Sequence, residues 1–206
     1  FGLLFLTGFG ILVYPTVSNQ WNTYRQSRLI SEYETTVSTE NSEGAIDYEK
    51  EWEKANAYNA SLLPSILPDS FAIAAASDEP GDEYMSCLNI LNDGMMGYVE
   101  VPKINIKIPI FHTTSEEVLN KGAGHLEGSS LPVGGENTHA VISAHRGLPS
   151  ASLFTDLDQL EKGDHFLISV LDQKLCYEVD QIRTVEPEDT GDLAVEPGED
   201  LVTLLT

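Results

Sequence analysis

The chain has 206 residues, enough for one or two domains, and carries 33 acidic against 11 basic side chains, a net charge of −22. No basic patch is available to neutralise phosphates, which excludes nucleic acid as a partner, and the acidity itself reads as a solvated, self-repelling surface. The two cysteines, Cys87 and Cys176, are not spaced as a metal or redox motif and are expected as two buried thiols.

Residues 1–17 are apolar apart from Thr7 and Thr16, and no charge appears before Arg25. A spanning helix needs roughly 20 apolar residues, so residues 1–21 are predicted as a transmembrane anchor, with Tyr14, Trp21 and Tyr24 at an interface. A cleaved signal peptide competes, but its apolar core would be shorter and no convincing small-x-small cleavage site precedes Trp21. Residues 22–62 form a helical arm of two helices, 22–37 and 46–62, broken at Asn41-Ser42-Glu43-Gly44. In the second, Ala45, Tyr48, Trp52, Ala55, Asn59 and Leu62 recur at spacings of three and four, one face packing on something larger. In residues 63–82, Pro64, Pro68 and Pro80 forbid a long helix. Loops of this length are commonly lids or linkers, and Asp69-Ser70-Phe71 lies in its middle.

From residue 83 the chain is predicted to be a β domain. A short helix over 83–91 stops at Asn92-Asp93-Gly94, and Tyr98 to Val101 is a strand closed by Pro102. Ile104, Ile106, Ile108 and Ile110 alternate with polar positions and Pro109, which predicts one buried face. A short helix starts at Thr114 with a capping box to Glu117 and ends at Gly122. Strands follow at 140–143, 166–171, 175–185 and 201–205, with a hairpin at Asp172-Gln173. Short strands at regular spacing point to a closed antiparallel barrel.

The central stretch is Thr138-His139-Ala140-Val141-Ile142-Ser143-Ala144-His145-Arg146-Gly147. Its β-branched middle suits a pleated surface, and Ala144 and Gly147 leave the His145 ring accessible at a strand end, where an imidazole can move protons. The plainer reading of a histidine beside a strand is a hydrogen-bonded structural residue, and that reading is preferred for His112, His125, His139 and His165.

Several segments together resemble sortases. They are Met96-Gly97-Tyr98-Val99-Glu100-Val101-Pro102-Lys103-Ile104, Gly124-His125-Leu126-Glu127-Gly128-Ser129-Ser130-Leu131-Pro132, residues 138–148, Leu153-Phe154-Thr155-Asp156-Leu157 and Val202-Thr203-Leu204-Leu205-Thr206. Order and spacing agree across residues 95–206, and Tyr58-Asn59 in the arm matches too. The anchor, the arm and the loop with Asp69 and Phe71 resemble the pilus-assembling type, class C, although Ser70 stands where that class usually has a proline. The fold so implied is mainly β: a sortase-type closed antiparallel β-barrel with short helices, preceded by a transmembrane helix and a helical arm. The implied divisions are 1–21 anchor, 22–62 arm, 63–82 lid and 83–206 barrel.

The resemblance implies a cysteine transpeptidase. Its thiolate attacks the Thr–Gly bond of an LPXTG-like sorting signal on a pilin or other surface protein. A lysine amine of an acceptor pilin then resolves the thioester into an isopeptide bond. His145 matches the family histidine that protonates the leaving amine, and Asp69 and Phe71 would lie across the site as a lid. The arginine role is carried to neither Arg146 nor Arg183, and no cofactor or metal is implied. In sortases the nucleophile directly follows a Thr-Leu-x-Thr segment, which Thr203-Leu204-Leu205-Thr206 matches. The chain is therefore expected to be a fragment lacking the cysteine, the arginine and the last strand, inactive and poorly stable as given. The implied location is the Gram-positive cell membrane, single-pass or double-pass, with the catalytic domain extracytoplasmic. A housekeeping cell-wall-anchoring sortase, and a non-catalytic or decayed surface barrel that binds sorting signals or partner proteins, are the competing readings.

Overall fold

Helix α1 (Gly2–Glu43) runs unbroken for 42 residues, about 63 Å at 1.5 Å per residue. It belongs to a computed structural model that describes residues 2–43, 46–62, 80–186 and 189–206. The helix continues through the expected anchor–arm division at residue 21, because no glycine or proline stands between Pro15 and Glu43 to break it. Gln26, Ile30 and Tyr33, at spacings of four and three, form the buried stripe. Phe5, Leu6, Phe9, Ile11, Leu12, Tyr14 and Val17 are exposed. Among the described residues no helix is long and apolar enough to cross a membrane. Thr7, Pro15, Thr16 and the run Ser18-Asn19-Gln20 dilute the apolar stretch on which the expected anchor over residues 1–21 rested.

Tyr33 fixes α1 to the sheet. Its hydroxyl donates to the Met96 carbonyl at 3.1 Å and accepts from the Leu171 N–H at 2.8 Å, with the residue 1 % exposed. Burial raises its pKa far above that of an ordinary phenol. Tyr33→Phe is expected to cost about 2 kcal/mol, since it leaves a buried N–H and a buried carbonyl without this partner. The measurement is a urea midpoint lowered at constant m-value; an unchanged midpoint would contradict the bonding described.

Helix α2 (Tyr48–Ser61) is capped by Asp47, whose side chain accepts from the Lys50 N–H at 3.1 Å. Its predicted face packs inward: Ala55 and Tyr58 are buried, with Tyr48, Trp52 and Leu62 beside them. Asn59 pairs with the Leu131 backbone as a strand would, its amide donating to the carbonyl at 3.3 Å and its oxygen accepting from the N–H at 2.7 Å. Helix α3 (Asp82–Ser86) is shorter than the predicted 83–91, because Cys87 turns extended and Leu88 takes a positive φ of 57°.

Seven strands follow: β1 (Met95–Val101), β2 (Ile106–His112), β3 (Ala123–His125), β4 (Thr138–Ser143), β5 (His165–Val170), β6 (Gln173–Glu178) and β7 (Asp200–Leu205). Their order in the sheet is β6-β5-β1-β2-β3-β4-β7. The expected all-antiparallel closed barrel is corrected in two respects. The β2–β3 and β4–β7 junctions are parallel, and the barrel is nearly closed. Its two edge strands meet through the Tyr177 hydroxyl, which donates to Asp200 Oδ1 at 3.0 Å. Gly97 lies where β5 crowds β1, and a Cβ there would run into the Ser169 carbonyl. Val99, Ile110, Ile142, Ile168 and Phe154 form the centre of the core.

Other expectations change in detail. β2 is buried on both faces over residues 108–112, because Ile30 and Tyr33 of α1 pack on Phe111. The cap of α4 (Glu116–Leu119) is Ser115, which accepts from the Val118 N–H at 3.4 Å, and not Thr114. β6 ends at Glu178, where the Val179 carbonyl and N–H pair with Gly163 and Asp164 at 2.8 Å each. Cys87 is buried, but Cys176 is exposed, and both thiols are free. Asp69, Phe71 and the rest of the expected lid over 63–79 lie outside the described residues.

Candidate active site

β4 is the buried strand that delivers His145. Ala140, Val141 and Ile142 are at most 2 % exposed, between β3 on one side and β7 on the other. The parallel register pairs Thr138 with Asp200 and, at the far end, Ser143 with Leu205. The Ala144 N–H continues the ladder to the Leu205 carbonyl at 3.1 Å. One residue later the chain turns away, so His145 stands just past the end of β4, beside the last residues of β7. Gly147, at φ +70°, permits the reversal, and its N–H donates to Thr155 Oγ1 at 3.1 Å. The loop is closed by the Phe154 N–H donating to the His145 carbonyl at 3.1 Å, with the Phe154 ring fully buried.

The five histidines differ in their surroundings. His139 lies with Nδ1 2.8 Å from the Ala194 carbonyl and Nε2 2.7 Å from Thr203 Oγ1. His112 has Gly94 and Cys87 carbonyls 2.9 Å from its two nitrogens, and burial lowers its pKa. His125 Nε2 is 2.8 Å from the Ser130 carbonyl, so it carries the proton and donates. Its Nδ1 is then bare and accepts from the Tyr84 hydroxyl at 3.0 Å, which itself accepts from the Thr113 N–H at 3.0 Å. Full burial pushes His125 down to about 4. His165 is at the surface, 3.6 Å from Glu178. His145 is half-buried, and among the described residues its ring has no hydrogen-bond partner. A ring placed in this way can take up and release a proton toward a bound molecule.

Other candidates are occupied elsewhere. Arg146 pairs with Asp158 at 2.9 Å and Arg183 with Asp192 at 2.7 Å, both at the surface. Cys87 Sγ donates to the Glu83 carbonyl at 3.3 Å, and burial raises its pKa, which keeps it a thiol. Among the described residues no group of three or more His, Cys, Asp or Glu side chains could hold a metal ion.

One set of contacts was not foreseen from the sequence. Asn22 Nδ2 donates to the Ser150 carbonyl at 2.6 Å, and Asn19 Oδ1 accepts from the Ser152 N–H at 2.8 Å and its hydroxyl at 3.1 Å. The signal was available. Residues 19, 22, 26, 30 and 33 form one stripe at spacings of three and four, and two asparagines inside a helix are poor helix formers that gain from tertiary partners.

Residues 99–206 match the family described as Sortase domain. The fold is similar to Sortase C of Streptococcus pneumoniae, 48% identical over 86% of each chain with a TM-score of 0.73. It is also similar to sortase C1 of Streptococcus agalactiae, 43% identical over 86% of this chain and 88% of that one, with a TM-score of 0.71. Sortase D of Bacillus subtilis (strain 168) is 32% identical over 110 residues, 53% of this chain and 52% of the relative, so the chain spans about half the length of that protein. A domain match over more than half of the chain, together with a shared fold at this identity, means that the chain belongs to the sortase family.

Proposed function

We propose that the full-length protein is a class C sortase transpeptidase that joins pilin subunits. The observation that carries this reading is His145, whose ring has no hydrogen-bond partner among the described residues and which follows the Ser143–Leu205 pair of β4 and β7 by two residues. The pilin substrates named for the Streptococcus pneumoniae relative support the substrate class. The nucleophile in this reading is a cysteine following Thr206, one step beyond the register position beside Ala144.

The reaction runs in two halves. The thiolate sulfur adds to the threonine carbonyl of an LPXTG-like signal, and the C–N bond to glycine breaks as the leaving nitrogen takes a proton from the His145 imidazolium. A lysine amine of the acceptor pilin then adds to the thioester and gives a proton to the neutral imidazole. The C–S bond breaks and the thiolate leaves. One amide is exchanged for one isopeptide bond, and the covalent intermediate divides a hard step into two easier ones. In this reading Asp69 pairs with an arginine of the full-length protein and Phe71 shields the thiolate. The place of action is the extracytoplasmic face of the cell.

The test mixes full-length protein with a pilin carrying an LPXTG-like signal and follows the products by mass spectrometry. The expected result is a thioester on the cysteine after Thr206, followed by lysine-linked pilin dimers. Peptide binding with neither adduct nor dimer, both in the wild type and after deletion of residues 69–71, would overturn this reading in favour of a non-catalytic binding barrel.

A further inference from the structure

The loop that follows His145 is tied to the barrel at its start, closes on itself at Phe154, buries Ala151 and Leu153 in the core, and bonds through Ser150 and Ser152 to a helix more than 120 residues earlier in the chain. At the ends, the Ala144 N–H bonds to Leu205 and the Phe154 N–H closes on the His145 carbonyl. In the middle, Ser150 and Ser152 bond to Asn22 and Asn19 of α1. The stripe that buries Gln26, Ile30 and Tyr33 against the barrel thus continues toward the helix start as two half-buried amides that bond to this loop. The division of labour is chemical: toward this loop the Asn19 side chain accepts and the Asn22 side chain donates.

We propose that Asn19 and Asn22 are positioning residues that set the course of the 145–154 loop and, through it, the pose of the His145 imidazole. The proposal rests on the proton-transfer role of His145 given above. The physical basis is that proton transfer and nucleophilic displacement are sensitive to placement, and a shift of about 1 Å can cost up to about 10²-fold in rate. Between its ends the segment is already tied by the Ala151 N–H donating to the Leu148 carbonyl at 3.2 Å and by the buried Ala151 and Leu153, and the bonds at Ser150 and Ser152 narrow its remaining conformations. Those bonds come from α1, so the pose of His145 depends on how α1 lies on the barrel.

Opposite responses to the same residue type test this. Aspartate keeps the acceptor that Asn19 supplies, but at position 22 it removes the donor and sets a negative charge against the Ser150 carbonyl. In full-length protein, Asn19→Leu and Asn22→Asp are expected to lower kcat about 10-fold or more with KM within about twofold, and to displace the pH profile of kcat. Asn19→Asp is expected to restore wild-type values. Hydrogen exchange at the Ser152 amide should quicken in Asn19→Leu and return to the wild-type rate in Asn19→Asp. All three variants should melt within about 4 °C of wild type, because the bonds lost are near the surface.

Equal kcat in Asn19→Leu and Asn19→Asp, or a loss explained by a fallen Tm alone, would overturn the proposal. His145→Ala in the same assay separates the two levels. If His145→Ala keeps its kcat, the proton-transfer reading fails and takes this proposal with it. If His145→Ala is crippled while Asn19→Leu keeps wild-type kcat and pH profile, only the positioning role fails.

Discussion

Full-length protein with His145→Ala is expected to lose about 10²–10⁴-fold in kcat for transpeptidation, the range that general acid–base groups supply. At 1.36 kcal/mol per tenfold this is about 3–5 kcal/mol of transition-state stabilisation. The loss should fall on the first half-reaction, where the leaving group is an amine. An amide nitrogen departs only as it gains a proton, and the imidazolium is the donor in the mechanism above. An ester analogue of the Thr–Gly bond, whose leaving alkoxide depends less on that proton, should lose much less. The contrast between amide and ester is the decisive measurement. Equal losses on both substrates in the rate of thioester formation would show that the ring does not protonate the leaving group. Stability should be nearly untouched, within about 0.5 kcal/mol, because the ring is half-buried and has no hydrogen-bond partner among the described residues.

The β part of the chain was readable because its signals are local. Asn92-Asp93-Gly94 turns the chain into β1, and the alternation after Ile106 marks β2. Asp172 lies at the β5–β6 turn, and the apolar run after Asp200 is β7. His145 could be placed at a strand end from Val141, Ile142 and the small residues that follow. What escaped was non-local. The parallel pairing of β4 with β7 brings together residues 62 apart, and no alternation within either strand distinguishes parallel from antiparallel neighbours. The exposure of Cys176 was available in retrospect. Leu175 and Tyr177 are half-buried while Lys174, Cys176 and Glu178 face out, and charges at 174 and 178 already mark that side as the wet one. The continuity of α1 was hidden by a change of composition near residue 18. Such a change alters what the helix faces, and without a glycine or proline it does not stop the helix.

Stability is expected to fall by about 3 kcal/mol between pH 6.5 and pH 4 through His125 alone. Burial holds its folded pKa at about 4 against an ordinary 6.5, and each pH unit of that gap is worth 1.36 kcal/mol. The sign follows from proton uptake. Below pH 6.5 the unfolded chain binds a proton on this ring and the folded chain does not, so the contribution is fully present above 6.5 and lost as pH falls toward 4. Burial lowers His112 in the same direction, opposed by the Gly94 and Cys87 carbonyls that face its two ring nitrogens and favour the protonated ring. Carboxylates enter later. Glu34, held low first by its hydrogen bond from Lys107, begins to cost stability only below the ordinary carboxylate value of 4.5. The window from 6.5 to 4.5 therefore reports on the buried rings. Urea denaturation at intervals across it should give a slope above 1 kcal/mol per pH unit in the lower half. His125→Gln should be less stable at pH 7.5, since the Tyr84–His125–Ser130 chain is broken, yet its slope should be flatter by about one proton. A slope in His125→Gln as steep as in the wild type would mean that the acid sensitivity arises elsewhere and that His125 already carries a proton in its buried site.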